Sequence, residues 1–270
     1  MDEVLKKLQK VELKILCDFA EFCEKHDIKY SIYAGTALGA VRHGGFIPWD
    51  DDIDVYMTRN EYERFLKIYR ENELEGYFLQ GTDDPNYEYI NFSKFRKNGT
   101  KFGGKRDLKI YEHNGIYLDI FPLDKVPTDK KLRKKFLFKA KLRMVYTRGY
   151  PFTKGSKLLK LISKILLIPS RKTQLKWRNK LEKDIIFKYK DLEKDYEYMS
   201  LASSENFNMF FPADTVETFT DILFEGKTFK ITAEYDRFLT KMYGDYMKLP
   251  PEEQRVCKHE SEVYDFGEDN

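Results

Sequence analysis

The sequence predicts a mixed α+β protein, a core sheet with flanking helices and a separate basic helical insert. Three observations predict it. Apolar residues recur at helical spacing over residues 3–26, acid and apolar residues alternate in "DIDVYM" at 52–57, and residues 130–181 contain no Asp or Glu while Lys and Arg recur throughout. A period near 3.6 marks a helix, a period of 2 marks a half-buried strand, and the change of charge marks a boundary. The expected organisation is a mixed α/β core over 1–128, a basic helical insert over 129–200, and a C-terminal segment over 201–270 that returns to the core.

The elements follow in order. Val4, Leu8, Val11, Ile15, Phe19 and Phe22 form one apolar helical face. "IKYSIYAG" reads as a short strand ending at Gly35, and "TALGAVRHGG" as a helix of small residues stopped by Gly44 and Gly45. Thr58 with Glu61 three positions later is a capping-box signature opening the helix "NEYERFLKIYREN". Strands are expected at 76–81, 88–96 and 116–121, and a helix at 233–243 followed by the loop "GDYMKLPPEEQR". Inside the insert, "KLLKLISKILLIP" sets Lys157, Lys160 and Lys164 on one helical face and Leu and Ile on the others. Two readings stay open for it: a basic amphipathic helix on an anionic membrane surface, or a helix whose apolar face packs on the core.

Composition narrows the function class. The 270 residues carry 48 Lys and Arg against 45 Asp and Glu, a net charge of +3, so overall charge gives no argument for nucleic-acid binding. Cys17, Cys23 and Cys257 lack CxxC spacing, and the first two sit in an apolar helical pattern as small hydrophobes. Met1 opens directly into a charged helix and no apolar run reaches the roughly 20 residues that span a bilayer. A cytoplasmic, reduced protein is expected, with the inner membrane face as a candidate peripheral location.

The stretch "GTALGAVRHGGFIPWDDDIDVYM" at 35–57 crowds Asp50, Asp51, Asp52 and Asp54 together. Like charges this close push each other's pKa up and call for a neutralising cation. Asp52 and Asp54 are two residues apart, so on a strand they leave one face while Ile53 and Val55 enter the core. Two carboxylates there make half of a divalent-metal site with hard oxygen ligands, magnesium or manganese. Asp119 in "GIYLDIFPLD", again flanked by apolar residues, is the candidate third acid from a neighbouring strand. Gly35 and Thr36 at the start of a helix let a phosphate approach free N–H groups. The whole pattern plans for metal-assisted phosphate transfer. A calcium-binding module is the rival of another class: Asp50, Asp52, Asp54 and Glu61 fall at EF-hand positions, but Val55 stands where that loop needs Gly.

The motifs "YAGTALGAVRHGGFIPWDDDIDV", "FSKFRKNGT", "NGIYLDIFPLD" and "FEGKTFKITAEYDRFLTKMYGDYMKLPPEEQR" resemble the LicD family, bacterial phosphocholine transferases with fukutin-related relatives. The resemblance implies a nucleotidyltransferase-like core, with Gly35-Thr36 where that superfamily's turn usually carries Ser or Gly. It also implies transfer of a phospho-alcohol, typically phosphocholine from CDP-choline, to a sugar hydroxyl of a surface glycan precursor of teichoic acid or lipopolysaccharide type, with release of CMP. Choline, ethanolamine, glycerol and ribitol stay open as the alcohol, and a nucleotidyltransferase using CTP or another triphosphate is the rival within the fold. Carried over, Asp52, Asp54 and Asp119 hold metal, and Asp119 doubles as general base. Asp50 and Asp51 orient the loop or hold water. Arg42, His43, Lys94, Arg96 and Arg255 face the phosphates or nucleotide; His259 is a weaker candidate. A choline ammonium needs an aromatic cage, for which Trp49, Tyr33, Tyr117 and Phe121 are the chief candidates, with Phe46 and Tyr111 behind them. The acceptor is a glycan or lipid-linked glycan.

Overall fold

The computed structural model describes residues 3–81, 91–104, 113–153, 156–202, 207–257 and 263–267. By its contacts the chain divides into two units, with the boundaries at Leu123 and Ala213. The first unit draws on both ends of the chain and the second is the segment between.

In the first unit, α1 (Glu3–Lys25) buries Leu8, Val11, Ile15, Phe19 and Phe22 as the spacing predicts, although Val4 is exposed. Next come β1 (Ser31–Ile32), α2 (Ala34–His43), β2 (Asp54–Thr58), α3 (Arg59–Glu71), β3 (Tyr77–Gln80), β4 (Ser93–Lys97), β5 (Lys101–Gly103) and the start of β6 (Tyr117–Pro127). The sheet runs β1-β2-β6-β4-β3. Its core centres on Phe19, whose ring meets Tyr30, Phe65 and Phe95 edge-on at 5.3–5.8 Å.

Three local expectations need correction. β1 ends at Ile32 and the helix has begun by Ala34, which sits at φ +44°. β2 begins at Asp54, so Asp52 lies in the loop before the strand. Thr58 is the N-cap of α3, but its side chain makes no cap bond, because Glu61 instead accepts from the Lys29 backbone N–H at 3.0 Å and from Arg64 at 3.2 Å. That commitment and the strand after Asp54 also dismantle the EF-hand reading. The strand expected at 88–96 is described from Ser93 onward; residues 88–90 lie outside the described residues.

The unit is completed from the C-terminal side by α7 (Asp214–Glu217), the hairpin β9 (Phe219–Phe224) and β10 (Lys227–Thr232), α8 (Tyr235–Tyr243) and β11 (Val263–Asp265), which pairs with β5. The hairpin was not foreseen: Glu225 and Gly226 both take positive φ, as a two-residue type I′ turn requires. Glu225 then reaches back, accepting the Phe46 N–H at 3.0 Å while its own N–H donates to Gly44 O at 3.0 Å.

In the second unit, α4 (Lys130–Arg148) is capped by Asp129, whose carboxylate accepts from the N–H groups of Lys131 and Leu132. It is followed by α5 (Lys157–Leu166), α6 (Arg171–Glu182) with a π-helical continuation Lys183–Phe187, β7 (Tyr196–Ser200) and β8 (Phe211–Pro212). β7 pairs with the second half of β6. A small core joins Val126, Phe136, Ile185 and Met199. The apolar face of α5 does not join it. Only Ser163 of that helix is buried, while Leu158, Leu159, Leu161, Ile162 and Ile165 are exposed, so the core-packing reading of this helix is overturned. No described helix is long and apolar enough to cross a membrane.

α2 ends in αL at Gly44, with N–H bonds from Gly44 and Gly45 to Ala40 O and Gly39 O. This return brings Gly45 against Gly39: a Cβ on Gly39 would lie 2.4 Å from Gly45 O and 3.2 Å from Ile47 N. Both obstacles are backbone. Gly39→Ala is therefore expected to lower stability by about 1–3 kcal/mol, read as a lower denaturant midpoint with an unchanged slope.

Candidate functional site

The acids gather at the junction of α1, the 50–54 loop and the sheet. Carboxylate oxygens of Asp50, Asp51 and Asp52 all lie within 4.8 Å of one another. Asp54 follows on β2, buried, its backbone N–H donating to Thr36 Oγ1 at 2.8 Å. Asp119 is on the neighbouring strand β6, and its N–H donates to Ile53 O at 2.9 Å. Sequence reasoning missed a further acid, Glu12. It is 2 % exposed, and its Oε2 has no hydrogen-bond partner among the described residues. Its signal was available: an acid standing inside the apolar face of α1, between Leu8 and Ile15.

Burial and mutual repulsion dominate the electrostatics. Burial pushes the Glu12 carboxyl well above its ordinary range, with Asp52, Asp51, Asp50 and Asp54 adding to the shift. Asp54 is raised by burial first, then by Asp52, Asp119 and Asp50, against an opposing pull from Lys94. Tyr117 is raised by burial and by Asp119 and Asp52. Tyr243, at the end of α8, is half exposed, yet desolvation of its hydroxyl and then Asp54 raise its pKa, so a second unforeseen residue lies near the acids.

The predicted cations have partners within the protein. Lys94 Nζ lies 2.6 Å from Asp119 Oδ1 and 3.3 Å above the Tyr117 ring; burial lowers its pKa, with Asp119 opposing. Strand register explains the pair, since Lys94 stands opposite Asp119 and Arg96 opposite Tyr117. Arg96 departs from expectation. It is buried, with Nε donating to Gln80 Oε1 at 2.7 Å and Nη1 to Gly115 O at 2.8 Å, bonds that fasten the sheet and its following loop. Arg42 donates to Tyr246 O at 2.9 Å and to His43 Nε2 at 3.0 Å, tying α2 to the C-terminal loop. Burial and then Arg42 lower the His43 pKa. Arg255 lies over Trp49 at 5.8 Å and donates to Pro250 O. His259 and Tyr111 lie outside the described residues.

Gly35 and Thr36 occupy the first turn of α2, where N–H groups have no partner within the helix. Thr36 uses its hydroxyl to hold Asp54 in place. Gly35 is needed for space: a Cβ there would come 2.5 Å from Asp50 Oδ2, so the helix start and Asp50 are in close approach. The aromatic candidates do not share one set of contacts. Tyr33 and Phe121 meet at 5.5 Å with Phe92 beyond, Tyr117 carries Lys94, Trp49 lies near His43 and Arg255, and Phe46 packs on Phe224. Lys94, also 5.3 Å over the Phe92 ring, links the Tyr33–Phe121–Phe92 group to Tyr117, whereas Trp49 and Phe46 have other neighbours.

An all-oxygen donor set this dense, with the buried, unpartnered Glu12 Oε2 in its electrostatic neighbourhood, fits a hard divalent cation. Fold and site thus define a mixed-sheet protein with a carboxylate-rich site suited to such a cation. The comparisons agree in class. The family described as LicD/FKTN/FKRP, nucleotidyltransferase domain, matches residues 27–153. The lipopolysaccharide cholinephosphotransferase LicD of Haemophilus influenzae is 33% identical over 273 residues, covering 96% of this chain and 97% of that protein. Uncharacterized proteins of Rickettsia typhi and Rickettsia prowazekii are each 41% identical over 67 and 64 residues, about a quarter of this chain, and 22% and 24% of their own lengths. The chain belongs to the LicD family.

The raised carboxyls set a pH dependence. A carboxyl raised by folding contributes stability below the ordinary carboxylate range that is lost as pH rises through its folded value. Without divalent metal, melting temperature is therefore expected to decline as pH rises above the ordinary carboxylate range, and Glu12→Gln to raise it at the upper end and flatten the slope. Added magnesium should stabilise the native protein more at the higher pH. Lys94→Met leaves Asp119 buried without its cation and is expected to lower stability by about 3–5 kcal/mol, most of it recovered in Lys94→Met/Asp119→Leu on a denaturation curve.

Proposed function

We propose that this chain is a divalent-metal-dependent transferase that moves phosphocholine from CDP-choline to a sugar hydroxyl of a lipopolysaccharide-type surface glycan, releasing CMP. The observation that carries the reading is the end-to-end relationship to a lipopolysaccharide cholinephosphotransferase, which covers 96% of the chain. The carboxylate cluster supports its metal-dependent half.

In this reading Asp52 and Asp54 hold magnesium or manganese, with Asp50, Asp51 and Glu12 completing the negative environment. When bound, the cation neutralises the diphosphate and lowers the pKa of a nearby hydroxyl. The first turn of α2 presents N–H groups to a phosphate. Asp119 accepts the proton of the attacking sugar hydroxyl, and Lys94 keeps that carboxylate in place. The acceptor oxygen bonds to the phosphocholine phosphorus as the diphosphate P–O bond breaks, and the electron pair leaves on CMP. For choline itself the best-supported contacts are narrower than the sequence suggested: the Tyr33–Phe121 pair or Trp49, since Tyr117 already faces an ammonium.

Calorimetry with CDP-choline and magnesium tests the reading. Metal-dependent binding, stronger than for CDP-ribitol or CDP-glycerol and lost in Asp52→Ala/Asp54→Ala, is the expected result. The same double variant should release CMP at least about a hundredfold more slowly. Tighter binding of CTP, with no response to CDP-choline, would move the assignment to a nucleotidyltransferase.

A further inference from the structure

The helix α5 is turned outward. Its one buried residue is the polar Ser163, 1 % exposed, whose hydroxyl accepts from the Phe152 N–H at 3.1 Å and donates to Lys160 O at 2.9 Å. At about 100° per residue, Leu158, Leu161, Ile162 and Ile165 fall on the arc facing away from Ser163. They are 44–65 % exposed, and Ile168 just beyond the helix is 78 % exposed. Water-facing aliphatic stripes of this kind mark an interaction surface. Lys157, Lys160 and Lys164 flank it along one side.

Charge selects the occupant. Residues 130–181 carry eighteen Lys and Arg and no Asp or Glu. A second copy of this chain would set that charge against itself. A nucleic acid would leave the aliphatic stripe in water. An anionic bilayer surface accepts both features, the aliphatic side chains entering the acyl boundary and the lysines meeting phosphate headgroups. Ten residues give a length of about 15 Å, suited to lying in the interface and too short to span it.

We infer that α5 is a membrane-docking helix that seats the protein on an anionic phospholipid surface through its outward Leu/Ile stripe and flanking lysines. The inference stands on this unit alone and does not depend on the transferase reading.

Sedimentation of the full chain with vesicles tests it. Binding is expected to vesicles of equal parts phosphatidylcholine and phosphatidylglycerol and to be at least about tenfold weaker to phosphatidylcholine alone. Leu161→Ser/Ile165→Ser and, separately, Lys157→Gln/Lys160→Gln/Lys164→Gln should each weaken binding to the anionic vesicles about tenfold. The altered side chains are largely exposed, so thermal midpoints should not fall, and an unchanged circular dichroism spectrum serves as an independent check of folding. Equal binding to both vesicle types would overturn the proposal, as would binding indifferent to the Leu/Ile substitutions, which would mean adsorption by charge alone. A dimer in solution abolished by Leu161→Ser/Ile165→Ser would assign the surface to a second copy instead.

Discussion

Carboxylate repulsion at one end of the sheet is the constraint around which the first unit is built. Glu12, Asp50, Asp51, Asp52, Asp54 and Asp119 share one electrostatic neighbourhood. Two like charges 4 Å apart repel by about 4 kcal/mol at an effective dielectric of about 20, so the fold needs restraints to hold the group together. Several are visible. Gln9 donates to the Asp50 carbonyl, Thr36 fixes the Asp54 backbone, and Lys94 supplies one buried positive charge at Asp119. One buried lysine stands against six acids, and the rest of their charge is left to burial and mutual repulsion.

The site also explains why the chain's ends meet. Arg42 reaches across 204 residues to the Tyr246 carbonyl, and Glu225 holds the loop that leads from α2 to the acids. The β9–β10 hairpin contributes as a brace: Thr232 N–H donates to Ser31 Oγ at the edge strand. Each of these bonds is modest by itself. Together they hold the 44–54 loop from the C-terminal side, so the geometry of the acids depends on residues far from them in sequence.

The second unit has its own small core and obeys a different logic. Asp129, Ser156 and Ser170 cap its helices, so local signals alone account for where they begin. Buried Arg143 pairs with Glu182 at 2.9 Å and holds α4 to α6. What distinguishes the unit is orientation: α5 points a serine inward and its aliphatic residues outward, the reverse of an ordinary amphipathic helix on a core.

By itself the sequence determined the element types and where the acids crowd together. Period 3.6 in α1 and α3, Gly44 as a helix stop, and the acid run at 50–54 are local signals, written within a few residues of where they act. The same is true of the family, since its motifs are contiguous stretches. Tertiary structure decided partnership. Lys94 and Arg96 look alike in "FSKFRKNGT", yet strand register sets one against Asp119 and the other against Tyr117, with Gln80 and Gly115 taking the arginine's donors. Glu12 enters the acid site only because α1 crosses that end of the sheet, and Trp49 parts from Tyr33 because the loop carries it toward Arg255. The α5 pattern admitted two orientations with identical periodicity, because a helical period reports that a face exists and not which way it turns. Side-chain spacing is a property of neighbours along the chain, whereas charge pairing and burial depend on which distant segments meet. For that reason the acids were legible, and the use made of their surroundings was not.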